Sequence, residues 1–118
     1  MMYYLCLAYG DEAGWNSLSD GEKQEVLAQD AVIRDRGNVM SAVQTQVTSV
    51  RNWNKKLDLR EEPFLQQNLP LAGFAVIEAK NRSEVVKLVS NTPCARAQGV
   101  IEIREFWNIG NVVTSPRD

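Results

Sequence analysis

Glu61-Glu62-Pro63-Phe64-Leu65-Gln66-Gln67-Asn68-Leu69-Pro70-Leu71-Ala72-Gly73-Phe74-Ala75-Val76-Ile77-Glu78-Ala79 divides into a polar approach pinned by two prolines and a run that is almost entirely apolar. Leu71 to Ala79 is too short for a core helix and is interrupted by Gly73. It therefore reads as a strand with both faces covered. The elements on either side fall into place around it. Upstream, Met2-Tyr3-Tyr4-Leu5-Cys6-Leu7-Ala8-Tyr9 is a second apolar run, ended by Gly10-Asp11, and reads as a central strand. Downstream, Val100 to Trp107 alternates Ile101 and Ile103 against Glu102 and Arg104, the signature of a strand with one wet face.

Two helices separate these strands. Ser19-Asp20-Gly21-Glu22 fits a capping box, and the helix it opens is expected to run to about Arg36 and stop at Gly37. Its apolar face is thin, made of Val26, Ile33 and their neighbours Leu27 and Ala31, with Asp30 between Val26 and Ile33. Asn81 and Glu84 open the second helix, with Val85, Leu88 and Val89 as its buried stripe and Pro93 as its stop. Between Gly37 and the Leu71 strand, Val39 to Val43 reads as a short strand. Val47 to Trp53 and Lys56 to Glu61 then read as a hairpin turning at Asn54-Lys55, weakly hydrophobic and partly exposed. Such an arm is also a surface on which another protein can dock.

The order β-α-β, hairpin, β-α-β predicts an α+β fold, a ferredoxin-like split βαβ arrangement with an inserted hairpin and both helices on one face of an antiparallel sheet. The opposite face then needs cover. In a chain of 118 residues a second copy supplies it, so a homodimer with sheets face to face is expected. One domain over residues 1–107, with 108–118 as a C-terminal tail, follows from the length.

Composition excludes several functions. Thirteen basic and 15 acidic residues give a formal net charge of −2 with no basic cluster, so nucleic acid is not an expected partner. No apolar run approaches the roughly 18 residues a membrane helix needs, and Met1 to Tyr9 lacks the pattern of a secretory signal. Cys6 and Cys94 make no disulfide framework, and the reduced, cytoplasmic state is expected. Histidine is absent. That removes Ser-His and Cys-His nucleophile pairs, His-ligated zinc and imidazole as a base. No phosphate loop, dinucleotide fingerprint or metal-spaced cluster is present, and no cofactor is expected.

The opening Tyr4-Leu5-Cys6-Leu7-Ala8-Tyr9-Gly10-Asp11-Glu12, then Trp15 and Leu18-Ser19, resembles the start of the DGPF proteins, a branch of the YCII-related family often associated with extracytoplasmic-function sigma factors. Pro63-Phe64, Ala72-Gly73-Phe74-Ala75-Val76-Ile77, Pro93-Cys94-Ala95-Arg96 and Ile101-Glu102-Ile103-Arg104 extend the resemblance in order to about residue 107. The resemblance implies a dimeric α/β barrel and a cleft between the sheet and the first helix. It also implies, for some relatives, elimination-type lyase chemistry by a His with an Asp partner. Here Asp-Gly-Pro-Phe is replaced by Glu61-Glu62-Pro63-Phe64, and the histidine position falls on Gln29 or Val26, depending on the end of the helix from which it is counted.

Candidate residues follow from both readings. Asp11 and Glu12 stand where a strand-end loop can hold a cationic or hydroxylated ligand, though acidic residues before a helix also serve the turn and the dipole. Trp15 either roofs a pocket or plugs the core. Asp30 is a candidate acid or base if buried, and the weak stripe around it puts it in water instead. Tyr4, Glu12, Trp15, Gln29 and Phe64 are the ligand-binding candidates, Asp30 and Asp11 the catalytic ones, and no metal ligand is assigned. Arg96 either binds a carboxylate or satisfies a helix end. The expected function is a small-molecule-binding or regulatory protein that is not an enzyme. The alternative is a cofactor-independent lyase or hydrolase acting on a small organic acid.

Overall fold

The computed structural model describes residues 2–37, 39–65 and 67–107. The tail expected from Asn108 to Asp118 lies outside the described residues. Ten elements follow one another: β1 (Met2–Tyr9), α1 (Glu12–Asn16), α2 (Asp20–Arg34), β2 (Met40–Ala42), β3 (Ser49–Trp53), β4 (Lys56–Arg60), β5 (Leu71–Ala79), α3 (Arg82–Val89), α4 (Pro93–Arg96) and β6 (Val100–Glu105).

The expected α+β class is present. β2, β5, β1 and β6 form one antiparallel sheet in that order, with β5 and β1 as its centre. The two strands that read as apolar on sequence are therefore the two that have a neighbour on each side. The sheet of the single chain is open and does not close into a barrel.

Local chemistry sets the helix ends. The capping box at α2 is complete: the Ser19 hydroxyl accepts from the Glu22 N–H at 3.2 Å, and the Glu22 carboxylate accepts from the Ser19 N–H at 3.0 Å. At α3, Asn81 accepts from the Glu84 N–H at 3.0 Å. Two short helices depart from the sequence reading. Asp11 accepts from the Gly14 N–H at 2.9 Å and so starts α1, where a polar connection was expected. Pro93, expected only to end the second helix, opens α4 at a position where its missing N–H costs nothing.

The core lies between the sheet and the helices. Tyr4, Cys6, Ala75, Ile77 and Ala79 from the strands meet Ile33, Val85 and Val89 from α2 and α3. Ile77, Val26 and Val85 are fully buried, each worth about 1.5–3 kcal/mol relative to exposure. A smaller cluster of Leu18, Val26 and Ala97, with Trp15 against it, closes the end near α1 and α4. Because side chains alternate along a strand, Tyr3, Leu5, Leu7, Phe74 and Val76 share the other face of the sheet. Every one of them is half-exposed.

β3 and β4 form a separate two-stranded sheet. Asn54 and Lys55 both take positive φ, 56° and 62°, the requirement of a two-residue type I′ turn. The turn expected at Asn54-Lys55 is thus present.

Candidate functional site

The cleft lies on the helix side of the sheet, at the β2 edge. Its inner chamber, of about 240 Å³, is walled by Cys6 and Ala8 of β1, Asp30, Ile33 and Arg34 of α2, Met40 to Ala42 of β2, Ala72 to Ala75 of β5, Ile101 of β6, and Val89, Thr92, Pro93 and Cys94. An outer chamber of about 320 Å³ shares Ala72, Pro93 and Cys94 with it and is rimmed by Gly10, Asp11, Glu12, Val43, Thr45, Pro70, Leu71 and Ala97. Small residues on the strands leave the room: Ala8, Ala42, Gly73 and Ala75 present little side chain to the cleft.

Asp30 is the acidic group of the inner chamber. The thin apolar stripe of α2 led to the expectation that it faces water, but Val26 and Ile33, both buried, turn its side of the helix inward. Burial pushes its carboxyl above the ordinary aspartate value, against an opposing pull from Arg34 one turn on. The two thiols respond likewise. Burial raises Cys6 to about 11. Cys94 is raised by burial first and by the charge of Asp30 second. Both cysteines are free.

The hydroxyl at the site is committed as a donor. Thr92 donates to the Val89 carbonyl at 2.6 Å, leaving its oxygen able to accept, whereas Ser41, paired with Phe74, donates to the Ala42 carbonyl at 2.8 Å on the opposite face of the sheet. The inner chamber therefore offers apolar walls, the Asp30 carboxyl with the Arg34 guanidinium, the Cys6 and Cys94 thiols and the Thr92 hydroxyl oxygen.

Several sequence candidates stand elsewhere. Tyr4 is in the core, and its hydroxyl donates to the Met2 sulfur at 3.6 Å. Tyr9 donates to Glu102 at 3.4 Å, so neither tyrosine hydroxyl is partnered with Asp30. Trp15 packs on the smaller cluster with the Lys23 ammonium 5.4 Å from its ring centroid, the plugging role. Gln29, where the family's histidine falls when counted from the helix start, donates to the Leu88 carbonyl at 2.6 Å and ties α2 to α3. Phe64 lies beyond the hairpin, with the Arg51 guanidinium 5.9 Å from its ring.

Asp11 and Glu12 do rim the outer chamber, although Asp11 is engaged in capping α1. Arg96 pairs with Glu22 at 3.3 Å and Glu25 at 3.7 Å, so it fastens α4 to α2. Thr92 and Cys94 are site residues that sequence reasoning left out. Only the Pro93-Cys94 pair gave any signal, as part of the family resemblance.

Among the described residues no group of three or more His, Cys, Asp or Glu side chains is placed to hold a metal ion. No helix among them is long and apolar enough to cross a membrane. No curated protein matches the chain significantly. The profile of the YCII-related domain matches residues 2–109, nearly the whole chain, and the protein belongs to the YCII-related family.

Proposed function

We propose that this protein binds a small, mostly apolar molecule with one polar end in the cleft between α2 and the sheet, without turning it over. The observation that carries the reading is the inner chamber itself: apolar walls around a half-buried carboxyl, Asp30, with the Arg34 guanidinium beside it, in a chain that has no histidine to move a proton near neutral pH. The polar end faces Asp30 and Thr92, with Arg34 at the same wall, and a volume of about 240 Å³ suits a single ring or a short chain. The reading includes a ferredoxin-like subunit that pairs with a second copy, sheet against sheet, into a dimeric barrel. The half-exposed row Tyr3, Leu5, Leu7, Phe74 and Val76 supports that pairing. The two free cysteines favour the cytoplasm as its place of action.

A thermal-shift screen of small phenols, alcohols, amines and carboxylic acids at millimolar concentration tests it. A ligand at 100 times its Kd adds about 2.7 kcal/mol, which at roughly 4 °C per kcal/mol raises Tm by about 10 °C. Asp30→Asn is expected to shrink that rise. A screen in which no compound raises Tm would refute small-molecule binding.

A second reading is favoured by the same carboxyl. A half-buried Asp30 with a raised pKa is suited to take a proton from a bound organic acid. Turnover of such compounds that vanishes in Asp30→Asn would establish it and displace the binding-only reading.

A further inference from the structure

Asp30 is a carboxylate without a donor. It is half-buried in the chamber wall, yet among the described residues no side chain forms a salt bridge with it and no hydrogen bond reaches it. Arg34, one turn on, acts on it through its charge alone. Arg34 is also the more exposed of the two, so water screens its charge more strongly than that of Asp30.

The rest of the cleft agrees in sign. Thr92 lines the same chamber and is 5% exposed, and with its proton committed to the Val89 carbonyl it can only accept from whatever lies there. Cys94, two residues on, registers the local field: its thiol is raised by burial and then by the charge of Asp30, with no opposing contribution from Arg34. The outer chamber, through which the inner one is approached, has Asp11 and Glu12 on its rim and no Lys or Arg among its lining residues. A half-buried carboxylate lacking a donor is costly, and the group that relieves the cost brings hydrogens and a positive charge.

We propose that the molecule held in the cleft is an amine, its ammonium group docked on Asp30 and Thr92 and its apolar body filling the inner chamber. The inference rests on the binding reading given above and names the ligand class for it. A carboxylate ligand would set a second negative charge beside Asp30, with only the screened Arg34 to draw it. An alcohol or phenol brings one donor and no charge, where a primary ammonium brings three donors. Arg34 then opposes the ligand, so its removal tightens the complex, the reverse of what an anion anchor would do.

The test titrates the full-length chain at pH 7 with benzylamine, benzyl alcohol and benzoate, which share one ring and differ in the polar end, by isothermal titration calorimetry. Charge-assisted hydrogen bonds are about twice as strong as neutral ones, so benzylamine is expected to bind about tenfold more tightly than benzyl alcohol, with benzoate weakest. Asp30→Asn is expected to remove that advantage, Thr92→Val to weaken benzylamine about fivefold, and Arg34→Gln to tighten it about twofold. Benzyl alcohol or benzoate binding as tightly as benzylamine, Asp30→Asn leaving benzylamine unchanged, or Arg34→Gln weakening it overturns the amine assignment and leaves small-molecule binding standing. Silence of all three probes at millimolar concentration overturns the assignment as well, and silence of the wider thermal-shift screen overturns the binding reading with it.

Discussion

Gly73 separates a local packing rule from a general one. It faces β2 across the β5 edge, and a methyl group built on it would lie 2.8 Å from the Ser41 carbonyl oxygen and 3.3 Å from the Ala42 Cα. Both obstacles are backbone, so no side chain can swing away. Gly73→Ala must push β2 outward or twist β5. β2 is held by three residue pairs and by flanking bonds from Val43 N–H to the Ala72 carbonyl at 2.9 Å and from Val76 N–H to the Val39 carbonyl at 2.8 Å. Losing one or two of these at about 1 kcal/mol each, on top of overpacking strain, costs about 2–3 kcal/mol. In urea, where a small protein loses about 1–3 kcal/mol per molar, the midpoint should fall by about 1 M. Gly21 is the control: nothing lies within 4 Å of its added methyl, and its site is in the first turn of α2. Gly21→Ala should be neutral or stabilise by up to about 1 kcal/mol. A Gly73→Ala variant within 0.5 kcal/mol of wild type would show that the β2 edge is loose and that the chamber wall it supplies is not fixed.

Two further outcomes follow from the buried groups. Burial raises the Asp30 pKa on folding, so the folded chain holds that proton to higher pH than the unfolded chain. Stability therefore falls as pH rises from the unfolded aspartate value through the folded one and stays lower at neutral pH. Asp30→Asn should melt above wild type at pH 7 and level with it near pH 3; a lower melting temperature at pH 7 would refute the assignment. The Asp30 charge also raises Cys94, so Asp30→Asn should speed alkylation of Cys94 by iodoacetamide at pH 8. Cys6, pushed up to about 11, should remain unlabelled in the folded protein, and an unchanged Cys94 rate would refute the coupling.

The central strands were legible because β1 and β5 each carry an apolar run that no helix of that length would use, and the helix starts because Ser19, Glu22 and Asn81 are capping residues with their partners in place. The hairpin was legible from its period of two and from Asn54. The short helices were not. α1 and α4 have five and four residues, too few to show a period, and each depends on one terminal residue, Asp11 or Pro93. The site was only half legible. Asp30 stood out by residue type, but its direction is set by how α2 rolls against the sheet, which the weak stripe of Val26 and Ile33 left open. Gln29 occupied a family position on sequence and proves to be a strut to Leu88. Thr92 and Cys94 reach the cleft because the α3–α4 connection lies over β1 and β5, a long-range arrangement that leaves no local pattern.

The chamber draws its walls from six separate stretches lying between Cys6 and Ile101. No excised fragment of the polypeptide can carry it, and a half-folded chain has no vessel to fill. A fluorescent compound that lodges there would accordingly light up only when the last strand has docked, which turns occupancy into a clock for the completion of folding.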